Sequence, residues 1–484
     1  MLRTLIALAS FLIGTTVFAD DLIELPEIGD SAGSVISYEQ ERRLGADFMR
    51  QVRRFAPLNT DEEVEAYIEN LGRSLAQHID YYGDFHFFVI DAPVINAFAV
   101  PGGYIAAYTG LILESQSESE LASVMAHEIV HITQRHGARS IEAAKKMGPA
   151  GMVALVGALA LAVADPQAGT AALIATQAAQ QQMQINFTRE NEREADRIGI
   201  QLLARSGYDP EKMAVFFERM QRASRYTDPS HIPEILRTHP VTINRIAEAK
   251  DRAEELSPEI IRQDSYEYHL IKAKLNVAAQ PQPALAKSIY EAKLRDGEYV
   301  HEEVARYGYA LALSASGDID RARVEIEKLR EAYPTIMAFQ IAAAKIERRA
   351  NDYLAARDIY AAAFAGEPEN RAVVYGYVDT LILAEEPDLA KRILRQWGLS
   401  DRRDPRYYKL LAQAENDLGD RGNSHHSLAE YYIRIGETAL AAEQLRLAKA
   451  VPELSNYQRQ KILARLDEVQ AVLLREDRDR RGPR

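Results

Sequence analysis

The stretch ESELASVMAHEIVHITQRHG, from Glu118 to Gly137, decides how the rest of the chain is interpreted. Its apolar residues recur at intervals of three and four, which predicts a helix with one buried face that Gly137 ends. Because residues i and i+4 share a helix face, the imidazoles of His127 and His131 can converge on one metal ion, with Glu128 beside it. Two histidines on a buried helix could also be ordinary core residues.

The composition limits the classes of function. The 484 residues, 47 % of them hydrophobic, provide for roughly two or three domains with their own cores. A net charge of −13 argues against a nucleic-acid partner. The sequence contains no cysteine, which excludes disulfides, thiol nucleophiles and cysteine metal sites. Any metal must therefore be held by histidine and carboxylate side chains.

Residues 1–19 are typical of a secretory signal peptide. Arg3 gives a positive start, an apolar segment runs from Leu5 to Gly14, and small residues precede a cleavage site after Ala19. We therefore expect a mature chain that is periplasmic or secreted. An uncleaved anchor is the alternative, but the apolar segment is short for a membrane-spanning helix.

Two helices and a small sheet are predicted before the metal-binding helix. Helical spacing covers residues 37–77, with Asp61 as a plausible cap of the second helix. Strands are predicted over residues 85–90, 96–100 and 104–108, and a Pro-Gly-Gly turn joins the last two. We expect an antiparallel sheet whose edge could align an extended peptide through main-chain hydrogen bonds. A plain hairpin without this role is the alternative.

An uncharged run from Met147 to Ala164 precedes a second helical stretch that ends near Met183. Its 18 residues reach the lower limit for a membrane span, but Ala and Gly gain little in lipid. For residues 147–183 we therefore favour a helical hairpin that covers the site, and peripheral membrane contact remains open.

The segment RENEREAD, residues 189–196, offers a third metal ligand. Enzymes with the HExxH pattern commonly take a glutamate from a following helix and leave a fourth position for water. Glu192 and Asp196 are four residues apart on one face, so Glu192 could bind the metal while Asp196 accepts a hydrogen bond from a ligating imidazole or from a group near the scissile bond. Glu190 and Glu194 lie on a different face. A solvated charge cluster is the alternative.

The loop after residue 220 carries Thr238-His239-Pro240 and is a candidate lid. Pro240 biases His239 towards an extended conformation that could point its ring into the cleft. There it could stabilise the transition state or occupy the fourth metal position as a regulatory ligand that keeps the enzyme latent. We favour the second role, and a solvent-exposed histidine is the alternative.

From about residue 265 to 474 the sequence is helical and repeats every 34 residues, the tetratricopeptide spacing. Small residues recur at two sites of the repeat: Ala310, Ala344, Val378 and Ala412, and Ala322, Ala356, Ala390 and Ser424. Small side chains let paired helices approach closely, and stacking buries faces that no single unit could bury. An unrelated helical bundle is the alternative. Residues 475–484 are predicted to be a charged, disordered tail.

Taken together, the motifs NAFAVPGG (96–103), HEIVH and NEREADRIG (191–199) resemble the HtpX/prenyl-protease family of zinc metallopeptidases, over about residues 40–250. The resemblance implies one Zn²⁺ per chain with His127, His131 and Glu192 as ligands. It also implies that Glu128 is the catalytic base and Asp196 the acid of the ExxxD motif. The membrane-embedded relatives have true spanning helices, whereas here only the run 147–164 could qualify.

The predicted architecture is mainly α-helical. It comprises a signal peptide (1–19), a zinc metallopeptidase domain with a small antiparallel sheet (20–256), a tetratricopeptide-repeat solenoid (257–474) and the tail. The resemblance implies a periplasmic zinc endopeptidase with a chaperone-like role in assembly and quality control of outer-membrane β-barrel proteins. Its expected partners are unfolded or misassembled outer-membrane proteins and, through the repeats, their assembly machinery. The alternative is mainly a repeat-based chaperone or adaptor with latent peptidase activity.

Overall fold

The computed structural model describes residues 36–139, 189–226, 233–256, 258, 260–397 and 404–481. The predicted signal peptide and the run 147–183 lie outside the described residues. None of the described helices is both long enough and apolar enough to cross a membrane.

The first part of the chain, up to Leu256, contains short helices around a small sheet. Its described helices are α1 (Tyr38–Phe55), α2 (Glu62–Ala76), α3 (Thr109–Glu114), α4 (Glu118–Thr133), α5 (Arg189–Arg205), α6 (Glu211–Tyr226), α7 (Ile235–Thr238) and α8 (Ile243–Leu256). Its described strands are β1 (His86–Ile90), β2 (Ala97–Val100) and β3 (Tyr104–Tyr108). Asp61 caps α2 as predicted, because its side chain accepts hydrogen bonds from the backbone of Glu63 and Val64.

The sheet is mixed, so the prediction of an antiparallel sheet was right for one pair of strands and wrong for the other. Its order is β1-β3-β2, with β3 antiparallel to β2 and parallel to β1. Gly102 and Gly103 have φ of 92° and 86°, which only glycine adopts readily, and this tight turn places β3 beside β2. The longer connection from β1 to β2 does not force those strands together, so β3 lies between them.

Helix α4 is buried on every side rather than on one face. All of its residues from Glu118 to Ile132 are buried, because α2, β2, α5 and α6 all pack against it. The three- and four-residue spacing of the apolar residues predicted one buried face, but the polar residues between them are buried as well. Buried polar side chains need partners, so His127, Glu128 and His131 must be matched by groups on neighbouring elements.

Gly137 does not end α4, contrary to the prediction. The helix ends at Thr133, and Arg135 adopts the left-handed conformation (φ 55°) expected of glycine. Two contacts hold Arg135 there, since its guanidinium donates hydrogen bonds to the carboxylate of Glu41 and the backbone oxygen of Ile36. The buried ion pair of Arg135 with Glu41 thus outweighs the preference of this backbone conformation for glycine.

The second part is a stack of helix pairs. The helices are α9 (Tyr266–Ala278), α10 (Pro283–Asp296), α11 (Glu302–Ala315), α12 (Ile319–Ala332), α13 (Met337–Arg349), α14 (Tyr353–Gly366), α15 (Arg371–Leu383), α16 (Pro387–Trp397), α17 (Pro405–Asp417), α18 (Arg421–Arg434), α19 (Thr438–Ala450) and α20 (Asn456–Arg481). The repeated small residues are buried or half-buried, and Ser424 donates a hydrogen bond to the backbone oxygen of Ala412, which joins the two predicted small sites of one pair. Helix α20 extends to Arg481, beyond the predicted start of the charged tail at residue 475.

An acidic turn at the start of α2 connects the two parts. Asp61 forms ion pairs with Lys274 (2.7 Å) and Lys345 (3.2 Å), and Glu63 pairs with the same two lysines. Glu65 pairs with Arg371 (2.5 Å), and Glu62 pairs with Arg406. The four cations come from α9, α13, α15 and α17, the first helices of their pairs. Burial opposes the charge of Asp61, but Lys274 and Lys345 lower its pKa below the usual range. The repeats therefore present one side of their array to the first part.

Candidate metal centre

Three elements bring the predicted metal ligands together. Helix α4 presents His127 and His131 one turn apart, α5 presents Glu192, and His239 follows α7. All four side chains are buried, and one potential ligand atom from each lies within 4.8 Å of the others. Residues far apart in the sequence thus converge on one point.

The spacing of these atoms fits a tetrahedral metal ion. Nε2 of His127 lies 3.0 Å from Nε2 of His131 and 3.3 Å from Nδ1 of His239. The Glu192 carboxylate lies 3.5 Å from each α4 imidazole and 3.1 Å from Nδ1 of His239. Four ligands at about 2.0–2.1 Å from one zinc ion would be about 3.4 Å apart. The donor atoms and their spacing therefore suit zinc.

The surrounding groups favour a positive charge where the four potential ligand atoms converge. Burial opposes a charged Glu192, but His239 and His127 outweigh it and hold the pKa of Glu192 well below its usual range. Burial also opposes a charged His127, yet hydrogen bonds to Asp196 and Glu192 raise the pKa of His127 to about 10. Burial, followed by the effect of His127, lowers the pKa of His131 well below its usual range. A carboxylate and a neutral imidazole thus face a position that favours a cation.

Asp196 lies behind His127 and not among the potential ligand atoms. Its Oδ1 is 3.0 Å from Nδ1 of His127, so it can accept the hydrogen bond that turns Nε2 towards the centre. Arg245 holds Asp196 with two hydrogen bonds of 2.6 and 2.8 Å and reaches the Glu192 carboxylate at 2.9 Å. One guanidinium therefore fixes both acidic residues, a role of Arg245 that no sequence pattern had indicated.

Glu128 lies beside the ligand atoms, next to the sheet. Its Oε1 is 3.3 Å from Nε2 of His239, and the backbone N–H of Ala99 in β2 donates a hydrogen bond to the carboxylate. Burial raises the pKa of Glu128, although His239 and His127 act against the shift. A carboxyl group with a raised pKa next to a metal centre is suited to accept and release a proton near neutral pH.

The segment that carries His239 is attached to the strand next to the centre. The backbone N–H of Ile235 donates to the oxygen of Ile95, just before β2, and the oxygen of Pro240 accepts a hydrogen bond from Arg245. The imidazole therefore lies between Glu192 and Glu128, with one ring nitrogen directed at each. The sequence predicted a ring that points into the cleft, and the structure places it there.

Comparisons with known proteins agree with this geometry. The chain matches the model of Peptidase family M48 over residues 59–253 and a tetratricopeptide-repeat model over residues 347–414. It is 36 % identical over 481 residues to the beta-barrel assembly-enhancing protease of Escherichia coli, which covers 98 % of this chain and 96 % of that protein. The chain belongs to the family of beta-barrel assembly-enhancing proteases.

Other relatives are consistent with the assignment. The beta-barrel assembly-enhancing protease of Yersinia pestis is 34 % identical over 94 % of this chain and 93 % of that protein. The mitochondrial metalloendopeptidase OMA1 of Bos taurus is 32 % identical over 34 % of this chain and 31 % of its own. As a member of the beta-barrel assembly-enhancing protease family with an M48 domain, the chain is a metalloendopeptidase. The resemblance to a metallopeptidase family and the prediction of tetratricopeptide repeats are confirmed.

Proposed function

We propose that the chain is a zinc endopeptidase of the bacterial periplasm that cleaves outer-membrane β-barrel proteins which fail to assemble and assists those that can still fold. The convergence of His127, His131 and Glu192 beside Glu128 carries the catalytic part of the proposal. The name of the relatives, beta-barrel assembly-enhancing protease, supports the substrate class. The signal-peptide pattern of residues 1–19 supports the location.

His127, His131 and Glu192 would hold the metal in this proposal. A bound zinc ion supplies a Lewis acid that polarises the peptide carbonyl and lowers the pKa of water towards about 7. Glu128 takes the proton from the attacking water and delivers it to the leaving amine. Asp196 keeps His127 in the tautomer and orientation that direct Nε2 inward, and Arg245 keeps Asp196 in place.

The edge strand β2 would align the substrate. No strand among the described residues pairs with the outer edge of β2, and Ala99 within it contacts Glu128. An extended peptide that adds to this edge gains main-chain hydrogen bonds without regard to its side chains. Unassembled β-barrel proteins have unpaired strand edges, so they are suitable substrates for this kind of recognition.

His239 would restrain the peptidase by taking the fourth position around the metal. Its Nδ1 is placed as a ligand atom, and a water molecule and this imidazole would compete for that position. The Ile235–Ile95 hydrogen bond lies next to the edge that a substrate would join, so substrate binding could release the segment.

We expect His239→Ala to keep zinc and to cleave an unfolded protein faster than wild type. A rate about 100-fold lower would instead assign His239 to transition-state stabilisation.

The proposed function is tested by cleavage of an unfolded outer-membrane β-barrel protein. Purified wild type should cut it, a chelator should stop the reaction, and Glu128→Gln should lower the rate by at least about 100-fold, since general-base catalysis contributes roughly 10²–10⁴-fold. Glu190→Gln is the matched control, because Glu190 is an exposed residue of α5. Equal rates for wild type and Glu128→Gln would contradict the proposal.

The adaptor alternative is supported by the size of the repeat array, which extends from α9 to α20. The adaptor function and the proteolytic function can be told apart in cells that lack the wild-type protein. If Glu128→Gln restores assembly of outer-membrane proteins as well as wild type does, the repeats carry the function and proteolysis is secondary.

A further inference from the structure

A second chain of polar contacts lies behind His131, as Asp196 lies behind His127. Nδ1 of His131 is 2.8 Å from Nδ1 of His136, and Nε2 of His136 is 3.0 Å from the carboxylate of Glu194. Arg139 reaches the same carboxylate oxygen at 3.2 Å. His136 is fully buried, with 0 % exposure. Sequence reasoning assigned no role to His136 and set Glu194 aside.

The geometry fixes which nitrogen carries each proton. Nε2 of His131 faces Glu192 and His127, so as a ligand atom it has no proton and the hydrogen of a neutral imidazole lies on Nδ1. His136 must then accept this hydrogen bond through its own Nδ1. Its remaining proton then lies on Nε2 and is donated to Glu194, so that both of these hydrogen bonds have a donor and an acceptor.

We propose that His136 and Glu194 are positioning residues that act through His131, and that they raise the zinc affinity of the centre. The inference rests on the proposed zinc site. Glu194 orients His136 through Nε2, and His136 in turn holds the tautomer and ring orientation of His131. Groups behind a ligating histidine typically change metal affinity by roughly 10–100-fold.

The two histidines of α4 are thus supported by different means. Nδ1 of His127 faces a carboxylate that Arg245 holds, whereas Nδ1 of His131 faces an imidazole that contacts a partly exposed carboxylate. A neutral acceptor increases the electron density of the ligand less than a carboxylate does, but it adds no further negative charge to the buried centre. Glu192, Asp196 and Glu128 already bring three carboxyl groups there.

A purely structural role for His136 would be to fill its buried site. The test uses two substitutions of nearly equal shape. In His136→Asn, Oδ1 occupies the place of Nδ1 and can still accept from His131, whereas His136→Leu fills the same space without an acceptor. The readouts are the dissociation constant for zinc, measured by competition with a chromophoric chelator, and the absorption spectrum of the cobalt-substituted protein, which reports ligand geometry.

We expect His136→Leu to weaken zinc binding by roughly 10–100-fold and to change the cobalt spectrum, while His136→Asn stays within a few-fold of wild type. Equal affinities for the Leu and Asn variants would overturn the inference. If the leucine variant does not fold, Glu194→Ala against Glu190→Ala decides, because only the former removes the acceptor of His136 Nε2 and should weaken zinc binding. A wild type that binds no zinc would contradict the proposed function itself, so the two failures are distinguishable.

Discussion

The metal centre and the repeat array bury different kinds of side chain. At the centre, buried residues are charged or polar, and each has a particular partner, such as Arg245 with Asp196. In the array, small residues recur at buried positions, such as Ala322 and Ala356. The centre therefore depends on the chemical identity of single residues, whereas the array depends on shape. Substitutions should affect metal binding in the first region and stability in the second.

The largest effect is expected at Glu192. Glu192→Gln should weaken zinc binding by more than roughly 100-fold, because the loss of a direct ligand should exceed the 10–100-fold typical of residues behind ligands. Asp196→Asn should cost about tenfold, since an amide oxygen can still accept from His127 while the ion pair with Arg245 is lost. Zinc titration measures both. The reverse order would exchange the roles of the two residues.

A medium effect is expected at Gly376 in α15. A Cβ added there would lie 2.4 Å from Oη of Tyr360, whose ring is fully buried and cannot move aside. Gly376→Ala should therefore destabilise the array by about 1–3 kcal/mol and lower the Tm without changing zinc content. Gly366→Ala is the control, because a Cβ at Gly366 meets no heavy atom within 4 Å. A loss of zinc in Gly376→Ala would break the proposed separation of the two regions.

The smallest effect is expected at Glu385. The turns between paired helices contain a left-handed residue at the same repeat position, namely Gly317, Asn351, Glu385 and Gly419. Glu385 has φ of 61° and is exposed, so Glu385→Gly should stabilise the array by up to about 1 kcal/mol. Thermal unfolding of the two proteins measures the change. An unchanged or lower Tm would show that this backbone conformation costs little there.

Features that depend on local pattern could be predicted from the sequence. The spacing of His127 and His131 follows from helix geometry alone, and the 34-residue period shows directly in positions such as Ala322 and Ala356. The spacing also placed Glu192 and Asp196 on one face of α5. The end of α4 was missed because Arg135 is held by Glu41 and Ile36, residues distant in the sequence.

Features that depend on tertiary contacts could not be predicted. The parallel pairing of β1 with β3 depends on how a longer connection crosses the sheet, which strand patterns do not encode. The ion pairs of α2 with the repeats, such as Glu65 with Arg371, join residues some 300 positions apart. His136 offered one signal, since it follows His131 by five residues, but only the structure shows the contact with Glu194.

If α4 and α5 build one zinc site, the purified protein must contain the metal, and its metal content is the most direct test. We expect close to one zinc ion per wild-type chain and almost none in His127→Ala, with Glu190→Gln as a control that retains the metal. The helix content of His127→Ala, measured by circular dichroism, should remain near that of wild type because the repeat array does not contain the site. Zinc content that is unchanged in a folded His127→Ala protein would contradict the account.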